Sequence, residues 1–323
     1  MTRLKSKKAL QGNSEDVRFG THELVADYRA KRVAALKPTT IIEIGAGAGF
    51  QTKAFSKVAK KVIAIDVDKE RMSMAEFADN VVVIIGDALD SAVLEKVKSE
   101  IEGTVDVFTD PERAPSVEHR TIGEIKPNIR LTLSNYKKLT DHIIIELPPQ
   151  LSNDELDMLP AHEREYLSIN GTLNRLTVYF GFAPCVSVIQ LPRNTRLEAT
   201  IYEPIREGPI LEHYLLEPDM ALIKAGLVGN ALADQPVLIE DIGNKQVYIA
   251  TKKSPSMLFR QRKILAHGNK ALIQKRLISY DKVVLHGKLT PEEQRTLLFE
   301  LRKFCKGKDT VHLFMGRRWF LTE

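Results

Sequence analysis

"IIEIGAGAGF", residues 41–50, runs an apolar stretch into glycines at alternate positions. The apolar run reads as a buried strand, and Gly45, Gly47 and Gly49 read as a sharp turn into a helix. Glycines at such a turn adopt backbone angles closed to other residues and let a ligand lie against the main chain, while a helix start offers free N–H groups. Outward from this stretch, apolar runs alternate with helix-patterned segments: "TTIIEIG" then "FQTKAFSKVA", "KKVIAID" then "KERMSMAEFA", "VVVIIGD" then "SAVLEKVKSE", "VDVFTD" then a stretch around "IRLTLSNYKKL", and finally "DHIIIELPP". That alternation predicts an α/β fold with a parallel, doubly wound sheet and helices on both faces.

Before the core, "THELVADYRAKRVAALKP" predicts one helix, capped by Thr21 and stopped by Pro38. Beyond it, "YLSINGTLNRLTVYFG" and "PCVSVIQLP" predict strands at the far edge of the sheet, with Asn170-Gly171 as a hairpin turn. Near Arg193-Asn194 the pattern changes to a second, α+β arrangement. There "DMALIKAGLVGNALA" reads as helical, "PVLIEDIGNKQVYIATKK" as a hairpin around Gly243-Asn244, and "SPSMLFRQRKILAHGNKALIQKRL" as one or two helices. "DKVVLHGK" reads as a strand, "TPEEQRTLLFELRKFC" as a helix entered at Thr290-Pro291, and "TVHLFMGRRWFLTE" as a closing hairpin. The predicted organisation is a basic tail and helix over 1–38, an α/β domain over 39–195 and a smaller α+β domain over 196–323.

Length supports this division, because 323 residues exceed what one ordinary core holds. No apolar segment is long enough for a membrane span, and "MTRLKSKKALQGNSED" lacks the apolar stretch of a signal peptide, so the expected location is cytoplasmic. Cys185 and Cys305 stand alone, in no spacing that suggests a disulfide framework or a metal site. The net charge of +5 hides a division: Lys and Arg against Asp and Glu number 9 to 4 over 1–38, 17 to 23 over 39–195, and 21 to 15 over 196–323. An acidic middle between basic ends suits a catalytic core carried by segments that grip a polyanion.

Glycine spacing separates two cofactor classes. Dinucleotide sites use G-x-G-x-x-G, whereas this chain has E-x-G-x-G-x-G beginning at Glu43. That pattern resembles the first motif of class I S-adenosylmethionine-dependent methyltransferases. The next two strand ends fit the resemblance: "VIAIDVD" ends at Asp66 and "VVVIIGDAL" at Gly86-Asp87-Ala88. It implies that Asp66 accepts the ribose hydroxyls and Asp87 the adenine amino group, in a cofactor set of Glu43, Gly45, Ala46, Gly47, Gly49, Asp66, Val67, Gly86, Asp87, Ala88 and Asp110. Asp87 also suits a helix cap, and Glu43 also suits a buried role orienting the loop amides. Asp68 is the better cap for "KERMSMAEFA".

Farther along, "REYLSINGTLNRLTVYFGFA", "HYLLEPDMALIKAGLVGNALA" and "VYIATKKSPSMLFRQRKIL" through "MGRRWFLTE" resemble class I methyltransferases that end in a THUMP-like domain, a family associated with RNA modification. The resemblance covers nearly the whole chain. It implies a Rossmann-like seven-stranded methyltransferase domain, a THUMP-like α+β domain, S-adenosylmethionine as cofactor and tRNA or rRNA as partner. Independently of it, the basic run from Lys252 to Lys288 suits phosphate contacts, with Lys252, Lys253, Arg260, Arg262, Lys263, Lys275 and Arg276 as candidates.

The fourth strand of such an enzyme ends beside the transferred methyl, where this chain has "FTDPERAPSVEHR". Asp110 and Pro111 are the catalytic candidates: Asp110 accepts an N–H of the substrate and Pro111 stiffens the turn. Amine-directed relatives continue with Pro and an aromatic residue, whereas this chain has Glu112-Arg113, which withholds the stacking ring. Arg113 and Arg120 are candidate RNA contacts in the same loop. The expected function is methyl transfer to a base nitrogen of RNA without a metal. A methyltransferase for a small molecule or protein, and a non-catalytic RNA-binding protein that retains the fold, stand as alternatives.

Overall fold

The computed structural model describes residues 21–111 and 121–323. Arg113 and Arg120 lie outside the described residues, as do Glu112, His119 and the basic tail. The chain divides into two compact units, Met1–Thr200 and Ile201–Glu323.

The first unit opens with helix α1 (Glu23–Ala34). Its cap is His22, whose side chain accepts from the Leu24 N–H, rather than Thr21, which lies one residue outside. Then come β1 (Thr40–Ile44), α2 (Phe50–Phe55), β2 (Lys61–Asp66), α3 (Lys69–Met74), β3 (Val81–Ile85), α4 (Ser91–Glu100) and β4 (Val105–Thr109). After the undescribed loop follow α5 (Ile129–Tyr136), β5 (Ile143–Leu147), α6 (Asn153–Asp157), β6 (Glu163–Ile169), β7 (Thr172–Phe180), β8 (Val186–Leu191) and β9 (Thr195–Ala199). Asp68 caps α3 and Asp90 caps α4, each accepting a main-chain N–H of the first turn.

These strands form one sheet in the order β3-β2-β1-β4-β5-β7-β6-β8-β9. The first five are parallel, and β7 turns back antiparallel to β5. The described sheet thus has nine strands where seven were expected, because β8 and β9 continue the edge beyond the β6–β7 hairpin. That hairpin turns at Asn170-Gly171, both at positive φ. Strand order reverses between β1 and β4, which opens a crevice at their carboxyl ends. Beneath α1, Ala26, Ala30 and Val33 pack with Ile41, Phe55, Phe108 and Ile144, and the Phe55 and Phe108 rings meet edge to face at 5.1 Å. Each fully buried Ile or Phe there contributes about 1.5–3 kcal/mol.

The second unit contains β10 (Tyr214–Pro218), α7 (Met220–Lys224), α8 (Val228–Leu232), β11 (Val237–Ile242), β12 (Lys245–Ala250), β13 (Phe259–Gly268), α9 (Lys270–Arg276), β14 (Tyr280–His286), α10 (Pro291–Arg302), β15 (Asp309–Met315) and β16 (Trp319–Thr322). Its sheet runs β11-β12-β10-β13-β16-β15-β14, with β14 and β15 parallel across α10. The segment read as one or two helices is instead strand β13 followed by helix α9. Ladders with β10 on one side and β16 on the other hold residues 259–268 extended against the helix propensity of their Lys, Arg and Gln. One apolar cluster, including Ile273, Leu277, Leu301 and Leu313, packs α9 and α10 on the sheet, and a second gathers Leu215, Ile249, Phe314 and Phe320.

Candidate functional site

The glycine turn forms because β1 must end abruptly beside its neighbours. Gly45 has φ +80°, and a Cβ there would stand 3.4 Å from the main-chain oxygen of Asp110. Gly49 has φ +73°, and its Cβ would press on Phe77 at 3.0 Å. Side chains at either position are therefore excluded by backbone angle, and at Gly49 by space as well. The Gly45 and Ala46 N–H groups both donate to the Ile65 carbonyl, which ties the turn to the end of β2.

Asp66 closes that end. Its Oδ2 accepts from the Gly47 N–H at 2.7 Å and its Oδ1 from the Asp68 N–H at 2.8 Å. One carboxylate thus fixes the glycine loop and the start of the next turn, and a carboxylate has capacity for about four donors, so it can still take hydroxyls. Val67 beside it is 70% exposed, an apolar surface at the crevice rim. At the end of β3, Asp87 accepts from the Leu89 N–H at 2.9 Å while Asp90 caps α4, so Asp87 is a turn residue and not the helix cap. Gly86 is half-buried and Ala88 is buried, with the Ala88 carbonyl accepting from the buried Tyr136 hydroxyl.

Glu43, the last residue but one of the buried strand β1, is 2% exposed. Burial pushes its pKa up from 4.5 to about 8; the Thr52 hydroxyl opposes the shift, and the Asp110 and Asp66 charges add to it. At neutral pH Glu43 is therefore mainly a neutral acid, and its buried Oε2 has no hydrogen-bond partner among the described residues. Such an atom, in a cradle that side chains at Gly45 and Gly49 would disturb, fits a site built to receive a polar ligand.

Asp110 and Pro111 follow directly on β4, with Pro111 buried. The sequence reading missed what holds Asp110. Arg175 on β7, 7% exposed, lays Nη1 3.5 Å from Asp110 Oδ1 and 3.3 Å from Oδ2, while its Nε lies 3.1 Å from Glu146 Oε2. Burial disfavours the Arg175 charge, yet the Asp110 and Glu146 carboxylates outweigh it and hold its pKa above the ordinary value. Glu146 in turn pairs with Arg29 of α1 at 3.1 Å, and Arg29 pairs with Glu165 at 3.0 Å. Register explains the assembly: Glu146, Thr177 and Glu165 lie side by side across β5, β7 and β6, forming a polar row. A signal was present, since charged residues interrupt the apolar runs "HIIIELPP" and "LNRLTVYF".

In the second unit, Lys252, Lys253, Arg260, Lys263, Lys275 and Arg276 are exposed. Arg262 is turned inward, 8% exposed, with Nε 3.2 Å from Glu217 Oε1 and Nη1 donating to the Glu323 carbonyl. A cavity of about 180 Å³ there is lined by Tyr214, Lys253, Arg260, Gln261, Arg262, Lys263 and Glu323. Phe259 is buried and Trp319 packs into the apolar cluster under α9 and α10, so both serve the core. Among the described residues, no cluster of three or more His, Cys, Asp or Glu side chains is arranged to hold a metal ion, and no helix is long and apolar enough to cross a membrane.

No family model matches the sequence. A curated protein of Methanosarcina mazei, assigned as ribosomal RNA small subunit methyltransferase A, is 40% identical over 93 residues, covering 26% of this chain and 34% of that protein. The chain thus spans about a third of the length of the curated relative it matches. A solved structure from Porphyromonas gingivalis W83, assigned as a methyltransferase, matches with a TM-score of 0.71 at 16% identity, over 96% of this chain and 82% of that one. A Pyrococcus horikoshii structure assigned as an RNA methyltransferase covers 55% of this chain and 90% of that one at 18% identity, with a TM-score of 0.36 that adds no weight. The strand order, the glycine turn and the first of these structural matches together give the chain the fold of a class I S-adenosylmethionine-dependent methyltransferase.

Proposed function

We propose that the protein is an S-adenosylmethionine-dependent methyltransferase that modifies a base nitrogen of tRNA or rRNA. The observation that carries this reading is the meeting of the glycine turn with Asp66, which accepts the Gly47 N–H at 2.7 Å, beside the ends of β3 and β4 that carry Asp87 and Asp110. The bound cofactor supplies an electrophilic methyl on a sulfonium. The chain's residues bind and orient: Asp66 uses its remaining acceptor capacity for the ribose hydroxyls, Asp87 takes the adenine amino group, and the glycine turn admits the cofactor against the main chain. Val67, Gly86 and Ala88 border the adenosine, and Ala46 supports the turn. Asp110 accepts an N–H of the substrate and directs the nitrogen lone pair toward the methyl, with Pro111 stiffening the turn.

Support for RNA comes from the exposed cations of the second unit, from the name of the curated relative, and from the resemblance of residues 196–323 to a THUMP-like domain. A methyltransferase for a small molecule or protein is the second reading, favoured by Arg262 and Lys270, whose charges are spent on Glu217 and Glu300 within the fold.

Calorimetric titration tests the cofactor assignment. S-adenosylmethionine is expected to bind the wild type, and Asp66→Ala to weaken it about 100-fold, the scale of losing two charge-assisted hydrogen bonds. No heat with the wild type, or unchanged affinity in the variant, would remove the assignment. Binding to RNA that does not weaken steeply with salt would favour the second reading.

A further inference from the structure

Asp110 stands at the rim of the crevice with a 22% exposed side chain, yet it is gripped from inside by a side chain only 9% exposed. Arg175 has a second carboxylate beside it, Glu146 at 3.1 Å from its Nε, which it shares with Arg29. Asp110 does not need Arg175 to be solvated, since it reaches the surface. The pairing neutralises charge, and its direction, from a buried row out to the rim, calls for a further reason.

Geometry supplies one. A guanidinium is a rigid plane, so the ion pair at Nε restricts where Nη1 can lie. Glu146 is itself braced: its other oxygen takes Arg29 Nη2 at 3.1 Å, and Arg29 is held on Glu165 at 3.0 Å and on the Thr177 hydroxyl. Glu146, Arg29, Glu165 and Thr177 are all buried. Arg175 thus works as a strut between this fixed row and the carboxylate at the rim.

We propose that Arg175 is a positioning residue for the acceptor carboxylate, a strut that holds Asp110 in one direction as a hydrogen-bond acceptor. The inference rests on the reading of Asp110 as the group that meets the methyl acceptor. It adds to that reading a substrate requirement: Asp110 receives a hydrogen bond, so a matching acceptor carries an N–H beside its attacking lone pair; as the lone pair takes the methyl and the sulfonium leaves as a neutral thioether, the N–H proton passes to water.

The test needs no identified substrate. Sinefungin, an analogue in which a carbon bearing a primary ammonium replaces the methyl sulfonium, presents N–H donors at the place where the acceptor arrives. S-adenosylhomocysteine lacks them. Both are titrated calorimetrically into the full chain. The wild type is expected to prefer sinefungin about tenfold, and Asp110→Asn to erase the preference. Arg175→Lys keeps the charge but cannot bridge Glu146 and Asp110, so it is expected to cut the preference at least about threefold while S-adenosylhomocysteine binds within about twofold of the wild type. The stoichiometry of that second titration counts folded molecules. Should Arg175→Lys fail to fold, Glu146→Gln loosens the same strut from its other end and is expected to lower the preference in the same direction.

A wild-type preference retained in Arg175→Lys, or in Glu146→Gln where that variant stands in, overturns the inference. A wild type without any preference overturns it together with the acceptor role of Asp110. Failure of S-adenosylhomocysteine to bind the wild type is a different result, which removes the cofactor reading itself.

Discussion

Glu43 shows how a single residue reports on the site. It lies near the end of a strand buried along its whole length, and its folded pKa of about 8 stands above the ordinary 4.5. A carboxyl whose pKa rises on folding contributes stability fully below the unfolded value, and that contribution is lost as pH climbs through the folded value. Without cofactor, Glu43→Gln is therefore expected to leave stability nearly unchanged near pH 4.5 and to raise it progressively toward pH 8, read as the difference in urea midpoints across that window. A constant difference would mean that Glu43 is not the buried acid described. Its place in the E-x-G-x-G-x-G pattern was legible, but its protonation was not, because that depends first on burial and then on Thr52, Asp110 and Asp66, which other elements bring to it. Asp66 was legible as a strand-end carboxylate, while its grip on the Gly47 and Asp68 N–H groups required the loop to be in place.

Among the elements, α1 contributes more than a leading helix usually does. Its Val25, Ala26, Ala30 and Val33 are buried against the first unit, and between them Arg29, wholly buried, joins Glu146 of β5 to Glu165 of β6. Arg29→Met keeps the volume but leaves two carboxylates buried without this counter-charge, and breaking a buried pair from one side costs about 3–5 kcal/mol. Chemical denaturation is expected to show a loss of that size, and a loss under about 1 kcal/mol would mean that water or another cation takes over. The five β–α alternations were legible because buried parallel strands read as continuous apolar runs, and two of their helices carry Asp caps. Two features were not. Strand β9 is short, charged and alternating, with no apolar run to mark it. Strand β13 carries Arg260, Gln261, Arg262 and Lys263, residues that favour helices locally, and only the β10 and β16 ladders decide against that preference.

For the molecule as a whole, the proposed function gives the two units different work. The exposed cations of the second unit, Lys252, Lys253, Arg260, Lys263, Lys275 and Arg276, suit phosphates, and Arg262 serves instead to brace β13 against Glu217 and Glu323. Lys253→Ala combined with Lys263→Ala is expected to weaken binding to unstructured RNA across sequences and to flatten the log–log salt dependence by roughly 1.4, about 0.7 for each phosphate left without its cation on a single strand. An unchanged slope would place the RNA elsewhere. What the sequence carried at this scale was the order of elements and the cofactor motif; the Asp110–Arg175–Glu146 connection was hidden because its members lie 65 and 29 residues apart and meet only through strand register. The central claim is methyl transfer to RNA, and nucleoside mass spectrometry tests it most directly. RNA from a strain lacking the gene is incubated with the protein and S-adenosylmethionine, then digested and compared with RNA treated with Asp110→Asn. The account predicts one N-methylated nucleoside restored by the wild type and absent after the variant; no methylated nucleoside gained by RNA under a wild type that binds the cofactor would contradict it.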